Sequence, residues 1–359
     1  MPTPRQLILL APVFTLLLGA CASSRPHLAQ HAPVTPPPAP YGALPSEAQM
    51  RWHGMEMYAF IHFTTNTFTD KEWGYGDESP EVFNPTDFDA DQIVGTLADA
   101  GFTGVILTCK HHDGFCLWPT ETTDHDIAAS PYKDGEGDIV REIAEACERH
   151  GLRFAPYVSP WDRNNAHYGT PAYVTDVFRP QIRELLTNYG DVFEVWFDGA
   201  NGGDGYYGGA RETRSIDRTT YYGWDTTWQM VDQLAPDAVI FSDVGPGCRW
   251  IGNEHGHAAD PSWATYTPRG PDGSGRFGPG LCDYTESPTG TRNGGSGSRA
   301  SATSPSAPAG SGTKTRTTGS ARPPISWTST CTPSGAARAS CSMSRPTDAA
   351  NSTRTTSRA

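Results

Sequence analysis

The residue in this chain best placed to do chemistry is the aspartate of Val195-Trp196-Phe197-Asp198-Gly199. An apolar run of this kind reads as a buried strand, and a carboxylate at its end is held at a fixed position. A fixed carboxylate beside an aromatic wall is the arrangement that a nucleophile attacking a sugar requires. Trp196 would offer a ring face on which an apolar sugar face packs. A lone aspartate after a strand also serves, more simply, to cap the next helix. A second group of reactive side chains lies in Cys109-Lys110-His111-His112-Asp113-Gly114-Phe115. Its imidazoles can donate to or accept from hydroxyl groups. A histidine pair also invites a metal. Adjacent strand residues point to opposite faces, however, so both could bind one ion only if the chain bends there. No third ligand shows metal spacing, and no metal or cofactor is expected. Two more carboxylates follow a later apolar run: Asp243, and Glu254 within Cys248-Arg249-Trp250-Ile251-Gly252-Asn253-Glu254-His255-Gly256. Either could serve as a proton-transferring partner. Asp243 reads more naturally as a strand-end cap, and Glu254 could be a solvated loop charge.

These residues need a scaffold, and the chain between about 47 and 288 spells one. Tyr58–Phe63, Gly104–Thr108, Arg153–Val158, Val192–Phe197 and Ala238–Phe241 are short apolar runs that read as strands. Helical patterns alternate with them. One runs over Asp89–Ala100 and stops at Gly101; another is capped by Asp138 and stopped by Gly151. Two more span Pro171–Tyr189 and Thr220–Leu234. Repeated β–α units with near-continuous apolar strands imply an α/β fold with a parallel sheet covered by helices. In such folds chemistry collects beyond the carboxyl ends of the strands. Polar and aromatic residues cluster there after each run: His62, then Lys110 to Asp113, then Trp161-Asp162, then Asp198, then Ser242-Asp243. Asp204–Tyr222 reads as a long flexible loop whose Tyr206, Tyr207, Tyr221 and Tyr222 would line the outer part of a site.

Composition narrows the function further. The formal net charge is -13, and from Pro288 onward the single acidic residue is Asp348 against nine Lys or Arg. The body is therefore strongly acidic, which argues against nucleic acid as a partner. At the start, Arg5 precedes the apolar run Leu7–Leu18, which is too short to cross a bilayer comfortably. The run ends in Leu18-Gly19-Ala20-Cys21, which resembles a bacterial lipoprotein cleavage box. That resemblance implies a signal peptide over 1–21, lipid on Cys21 and export. Ala22 after the cysteine implies the outer membrane. Residues 22–46, rich in Pro, Ala and Ser, read as a tether. Of the eight cysteines, Cys109, Cys116, Cys147, Cys248 and Cys282 fall in the body without metal spacing. They could be paired after export or be buried thiols.

Five segments together resemble glycoside hydrolase family 29, the α-L-fucosidases. They are Ile61-His62-Phe63, Lys71-Glu72-Trp73, Cys109 through Phe115, Tyr157-Val158-Ser159-Pro160-Trp161, and Trp196-Phe197-Asp198-Gly199. The similarity runs from about Trp52 to Asp283, in family order. It implies a (β/α)8-type barrel and exo-acting hydrolysis of terminal α-L-fucose by a retaining double displacement. Asp198 matches the nucleophile. Glu254 is the best match for the acid/base, and its string resembles the subgroup that takes α1,3/4-linked fucose. His62, Glu72, Trp73, His111, His112, Tyr157 and Trp196 match residues that hold the fucose ring. The implied partner is a fucosylated oligosaccharide, reached from a membrane-tethered position.

The resemblance stops near Thr285. Residues 289–359 are mostly Ser, Thr, Ala, Gly, Arg and Pro without apolar periodicity, so a disordered tail is expected there. Thr313-Lys314-Thr315-Arg316-Thr317 can be encoded so that the frame one base earlier reads His-Glu-Asp-Glu-Asp. Ser301–Gly312, shifted alike, yields a string that resembles a family motif, which points to a reading-frame slip. On this reading the barrel is truncated after about its fifth strand, and the family's C-terminal β-sandwich is missing. Two other functions stay open: an inactive remnant, and a fucose-binding lipoprotein without turnover.

Overall fold

The computed structural model describes residues 42–292, together with Ala39 and the backbone of two short strands, Arg299–Ser301 and Ile325–Ser326. The expected signal peptide, Cys21, most of the tether and most of the tail lie outside the described residues.

Helix α1 (Glu47–Met55) starts where Ser46 accepts from the Gln49 amide while the Gln49 side chain returns the bond, a reciprocal cap. Strands β1 (Ala59–Ile61), β2 (Gly104–Lys110), β3 (Arg153–Val158) and β4 (Glu194–Phe197) follow, with helices between them. A short helix α2 (Thr65–Thr69) comes directly after β1. Helix α3 (Ala90–Asp99) is capped by Asp89 and buries Ile93, Val94 and Leu97, the stripe expected of a helix laid on a sheet. Helix α4 (Ile139–His150) is capped by Asp138 and ends at the left-handed Gly151. Helix α5 (Arg179–Asn188) continues from a π-helical turn, Tyr173–Phe178. After β4 come β5 (Gly203–Gly205), β6 (Glu212–Arg214), helix α6 (Trp224–Leu234), β7 (Val239–Ser242) and β8 (Cys248–Trp250). The two outlying strands are β9 (Arg299–Ser301) and β10 (Ile325–Ser326).

The main sheet has the order β10-β1-β2-β3-β4-β7-β8-β9. From β1 through β8 every neighbouring pair is parallel. Six consecutive parallel strands, with helices in every crossover but the last, make a partial (β/α) barrel. Alternation along the strands sorts the apolar side chains into two sets. Phe60, Ile106, Ala155, Tyr157, Trp196, Phe241 and Cys248 form an inner cluster. Ile61, Val105, Leu107, Phe154, Val195 and Ile240 face outward and pack with the helices. Helix α1 lies across the amino-terminal strand ends. Its Trp52 Nε1 donates to Glu194 at 2.7 Å and its Gln49 side chain donates to Gly247 O at 2.6 Å.

Two features differ from the sequence expectation. The parallel strand β8 follows β7 after only a tight loop, without a helix to announce it. The segment 204–222 is not a flexible loop. Its first part is the β5–β6 ribbon, in register from Gly203↔Arg214 to Gly205↔Glu212. Tyr207 and Tyr222 are buried, Tyr222 sharing a hydrogen bond with the Tyr168 hydroxyl at 2.8 Å. Burying two such aromatic side chains stabilises the ribbon by several kcal/mol, on the order of 2 each, so both belong to the core and not to a binding surface.

Candidate active site

Asp198 stands just past β4, where the inward-facing row Glu194, Trp196, Asp198 leaves the sheet. Its Oδ1 accepts from the Ala200 amide at 2.7 Å and its Oδ2 from the Tyr157 hydroxyl at 2.9 Å. Its side chain keeps 19% exposure, and His112 Nε2 lies 3.9 Å from Oδ1. Burial raises the Asp198 pKa above the usual carboxylate value. The Ala200 and Tyr157 donors oppose that rise, and the negative charge of Glu254 adds to it. The Tyr157 hydroxyl is held far above its own ordinary range by burial and by Asp198, so it remains a proton donor.

The two histidines do share one side of the chain. A register shift between Thr108 and Lys110 bends β2, and the rings of His111 and His112 lie 4.2 Å apart. Bulges of this kind commonly re-aim side chains beside a site. Both histidines lie beyond the end of β2, in the turn that the Gly114 amide closes on His111 O at 3.0 Å, so the alternation of strand neighbours does not apply to them. Even so, among the described residues no group of three or more His, Cys, Asp or Glu has the arrangement of a metal site. His112 Nδ1 lies 2.7 Å from the Ser159 hydroxyl, which itself donates to Trp161 O at 2.7 Å. The hydroxyl has one proton and has given it to the carbonyl, so Nδ1 must carry the hydrogen and Nε2 is left as an acceptor. Burial, reinforced by the positive charges of Arg163 and Lys110, lowers the His112 pKa to about 3, so the ring is neutral. His111 is likewise pushed well below its ordinary value, first by burial and then by His112 and His62. Its buried Nδ1 has no partner within the described residues.

His62 stacks on Phe60 with centroids 4.5 Å apart and shares a hydrogen bond with Thr108 at 3.0 Å. Its ring meets His111 edge-on at 5.9 Å. Trp73 is 47% exposed and meets His112 edge-on at 5.4 Å, a position at the rim. Glu72 is exposed beside it. Trp196 does not offer a ring face. One face stacks on Phe241 at 3.8 Å and the other on Tyr157 at 5.2 Å, because its place in the inward row buries it among barrel side chains. What remains is its Nε1, buried and without a partner within the described residues. Glu254 is exposed on the loop beyond β8, and its charge acts on Asp198.

Asp113 and Lys110 belong to the strand-end cluster read from the sequence, but their buried supporting bonds, and Glu78 altogether, were not marked there. Asp113 is buried and accepts from Thr65, Asn66 and the Phe115 amide, which ties α2 to the histidine turn. Burial raises its pKa to about 6. Lys110 is fully buried, with its ammonium on Gln181 at 2.7 Å and Tyr173 at 3.0 Å, which pins the bend from below. Glu78 holds the Trp73 loop through Lys71 and the amides of Tyr75 and Gly76. Burial pushes its carboxyl up, but those donors outweigh it and keep the pKa below the usual value. The partners of Lys110, and Thr65 and Asn66 on Asp113, are set by long-range packing, whereas Glu78 is held within its own loop. The five body cysteines are buried free thiols.

A partial (β/α) barrel with an aspartate fixed among neutral imidazoles, a tyrosine donor and a rim tryptophan has the makings of a glycoside hydrolase site. The α-L-fucosidase family model matches residues 39–259, and the chain belongs to that family. It is 45% identical over 231 residues to alpha-L-fucosidase 1 of Arabidopsis thaliana, covering 64% of this chain and 43% of that protein. Its fold resembles a glycoside hydrolase 29 family member from an unknown rumen bacterium, with 50% identity, a TM-score of 0.68, and coverage of 73% of this chain and 46% of the other. A Ruminococcus gnavus GH29 fucosidase in complex with fucose is also similar, at 34% identity and a TM-score of 0.53, over 65% of this chain and 50% of that one. The chain thus spans about half or less of the length of these relatives.

Proposed function

We propose that this chain carries the catalytic site of a retaining exo-α-L-fucosidase that removes terminal fucose, α1,3/4-linked, from glycans. The observation that carries the proposal is the seating of Asp198 between two fixed donors, opposite a neutral His112 whose Nε2 accepts. In this reading Asp198 attacks the anomeric carbon and forms a glycosyl–enzyme ester. Glu254 protonates the departing oxygen and then takes a proton from the water that releases fucose. The fixed donors favour the ionised form of Asp198 and oppose the rise that burial imposes, the direction a nucleophile needs. His62, Glu72, Trp73, His111, His112, Tyr157 and Trp196 hold the sugar. The acceptor Nε2 of His112 suits a sugar hydroxyl donor, and the Trp196 edge supplies an N–H. The family's fucose complex supports this choice of sugar. The lipoprotein-like Leu18-Gly19-Ala20-Cys21 supports an exported enzyme tethered by lipid at Cys21.

The test is hydrolysis of an aryl α-L-fucoside by the purified chain and by Asp198→Gly. The wild-type chain should turn over. The variant should lose several orders of magnitude in kcat, keep fucose binding and regain rate with azide. A variant with more than about a tenth of wild-type activity would remove Asp198 from the nucleophile role, since losing a nucleophile costs far more than that. Fucose binding by the wild-type chain without any hydrolysis would instead indicate a binding protein.

A further inference from the structure

We propose that Asp243 is a positioning residue: its carboxylate straps the segment from Pro279 to Tyr284 onto the turn that carries Asp198. The sheet register supplies the starting point. Trp196 pairs with Phe241, so Asp198 and Asp243, each two residues further on, leave neighbouring strands side by side. Asp243 is 5% exposed. Its Oδ2 accepts from the Gly280 amide and from the Tyr284 hydroxyl, both at 2.7 Å.

Around this oxygen the strap is packed without slack. A Cβ on Gly280 would overlap Gly199 O, and a Cβ on Gly199 would overlap the Asp243 carboxylate. Asn201 Nδ2 donates to Gly199 O at 2.8 Å and to Pro279 O at 3.1 Å, and Arg218 donates to Gly280 O at 2.6 Å. On the far side the Tyr284 ring meets Trp250 edge-on at 5.2 Å, and Trp250 ends the strand that leads to Glu254. One buried carboxylate therefore braces both the turn after Asp198 and the root of the Glu254 loop.

This geometry commits one oxygen of Asp243 to the strap. Its Oδ2 is occupied by two donors, and little of the side chain meets solvent. Burial first, and then the charge of Asp198, raise its pKa to about 6, yet a protonated Asp243 still offers a carbonyl oxygen to both donors. The catalytic consequence rests on the proposed role of Asp198; the strap itself does not.

Asp243→Asn and Asp243→Ala separate the possibilities. Asparagine keeps an acceptor oxygen and alanine does not. Two readouts are needed: amide hydrogen exchange over 278–287, and kcat and KM on an aryl α-L-fucoside and on a fucosylated oligosaccharide. Asp243→Ala should speed exchange at Gly280 and lower kcat on both substrates, each about tenfold or more, as loss of a buried charged acceptor implies. Asp243→Asn should stay within about threefold of wild type in both, because a neutral acceptor retains most of the bonding. Unchanged exchange in Asp243→Ala overturns the strap. An asparagine variant as slow as alanine on the oligosaccharide, with the aryl fucoside spared, makes Asp243 an acid/base and overturns the proposal. If the wild-type chain shows no turnover, the fucosidase reading fails and the exchange comparison still decides the strap. If Asp243→Ala does not fold, Tyr284→Phe takes its place: it removes one donor and should speed exchange, and unchanged exchange there overturns the proposal.

Discussion

Replacing Glu194 by glutamine should change how the stability of this fold depends on pH. Glu194 opens β4 at the closed end of the barrel, is fully buried, and accepts from Trp52 of α1 at 2.7 Å. Burial raises its pKa from 4.5 to about 8, against smaller opposing hydrogen bonds from Trp52, Tyr58 and Cys248. The folded state therefore holds a proton that the unfolded chain releases near the ordinary carboxylate value. Stability should be fully retained below about pH 4.5 and fall as pH rises through the window up to about 8. Each pH step of one inside that window costs about 1.4 kcal/mol. Between pH 5 and pH 8 the loss reaches about 4 kcal/mol, a large share of the ~5–15 kcal/mol that holds a domain folded. Glutamine is neutral throughout, so Glu194→Gln should show none of this loss. A less ideal bond to Trp52 would lower its stability by the same amount at every pH and leave the difference in slope intact. Urea unfolding followed by tryptophan fluorescence at pH 5, 6, 7 and 8 measures it. The variant should gain on wild type steadily with rising pH. A wild-type-to-variant difference that stays constant within about 1 kcal/mol over that range, where the titration of Glu194 requires about 4, would refute the reasoning.

Three further outcomes concern the site. Tyr157→Phe removes a donor that lowers the Asp198 pKa, so the acidic limb of kcat/KM on an aryl fucoside should move to higher pH, by about one pH unit for a hydrogen bond to a charged group; an unmoved limb would detach Tyr157 from the nucleophile. Glu254→Ala should slow a fucosylated oligosaccharide far more than an activated aryl fucoside, because protonation matters least when the leaving group is already acidic. Equal slowing of both would make Glu254 a positioning residue. Trp73→Ala should raise KM by about fivefold with kcat changed less than about threefold, since a half-exposed rim ring contributes about 1 kcal/mol of contact to ground state and transition state alike. A fall in kcat with KM unchanged would place Trp73 nearer the reacting bond.

The amino-acid sequence alone was enough to recover strands β1 to β4 and β7, helices α3 to α6 and the residues at those strand ends, but not α1, α2, β5, β6 or β8. The reason is that the recovered features are local. Asp89 and Asp138 cap their helices because an aspartate side chain reaches amides only three residues ahead. Val195 and Trp196 alternate between outer and inner clusters because strand geometry has period two. Family motifs then assigned parts to Asp198, His111, His112 and Tyr157, and the fold does bring these four together. Contacts that join distant segments left no such trace. The turn that brings the His111 and His112 rings together is anchored by Asp113 and Lys110 to segments far along the chain. The loss of the Trp196 ring face follows from Phe241 stacking on it across the sheet. Tyr207 and Tyr222, in what reads as an open loop, are buried because the ribbon folds back on Tyr168. Lys110 and Asp243 find their partners many residues away, and a carboxylate's role depends on whether its oxygens meet solvent, a sugar or a neighbouring backbone amide. Spacing along the chain determined which residues reach the mouth of the barrel. Only packing decided which of them are free to face a substrate and which are spent holding the others in place.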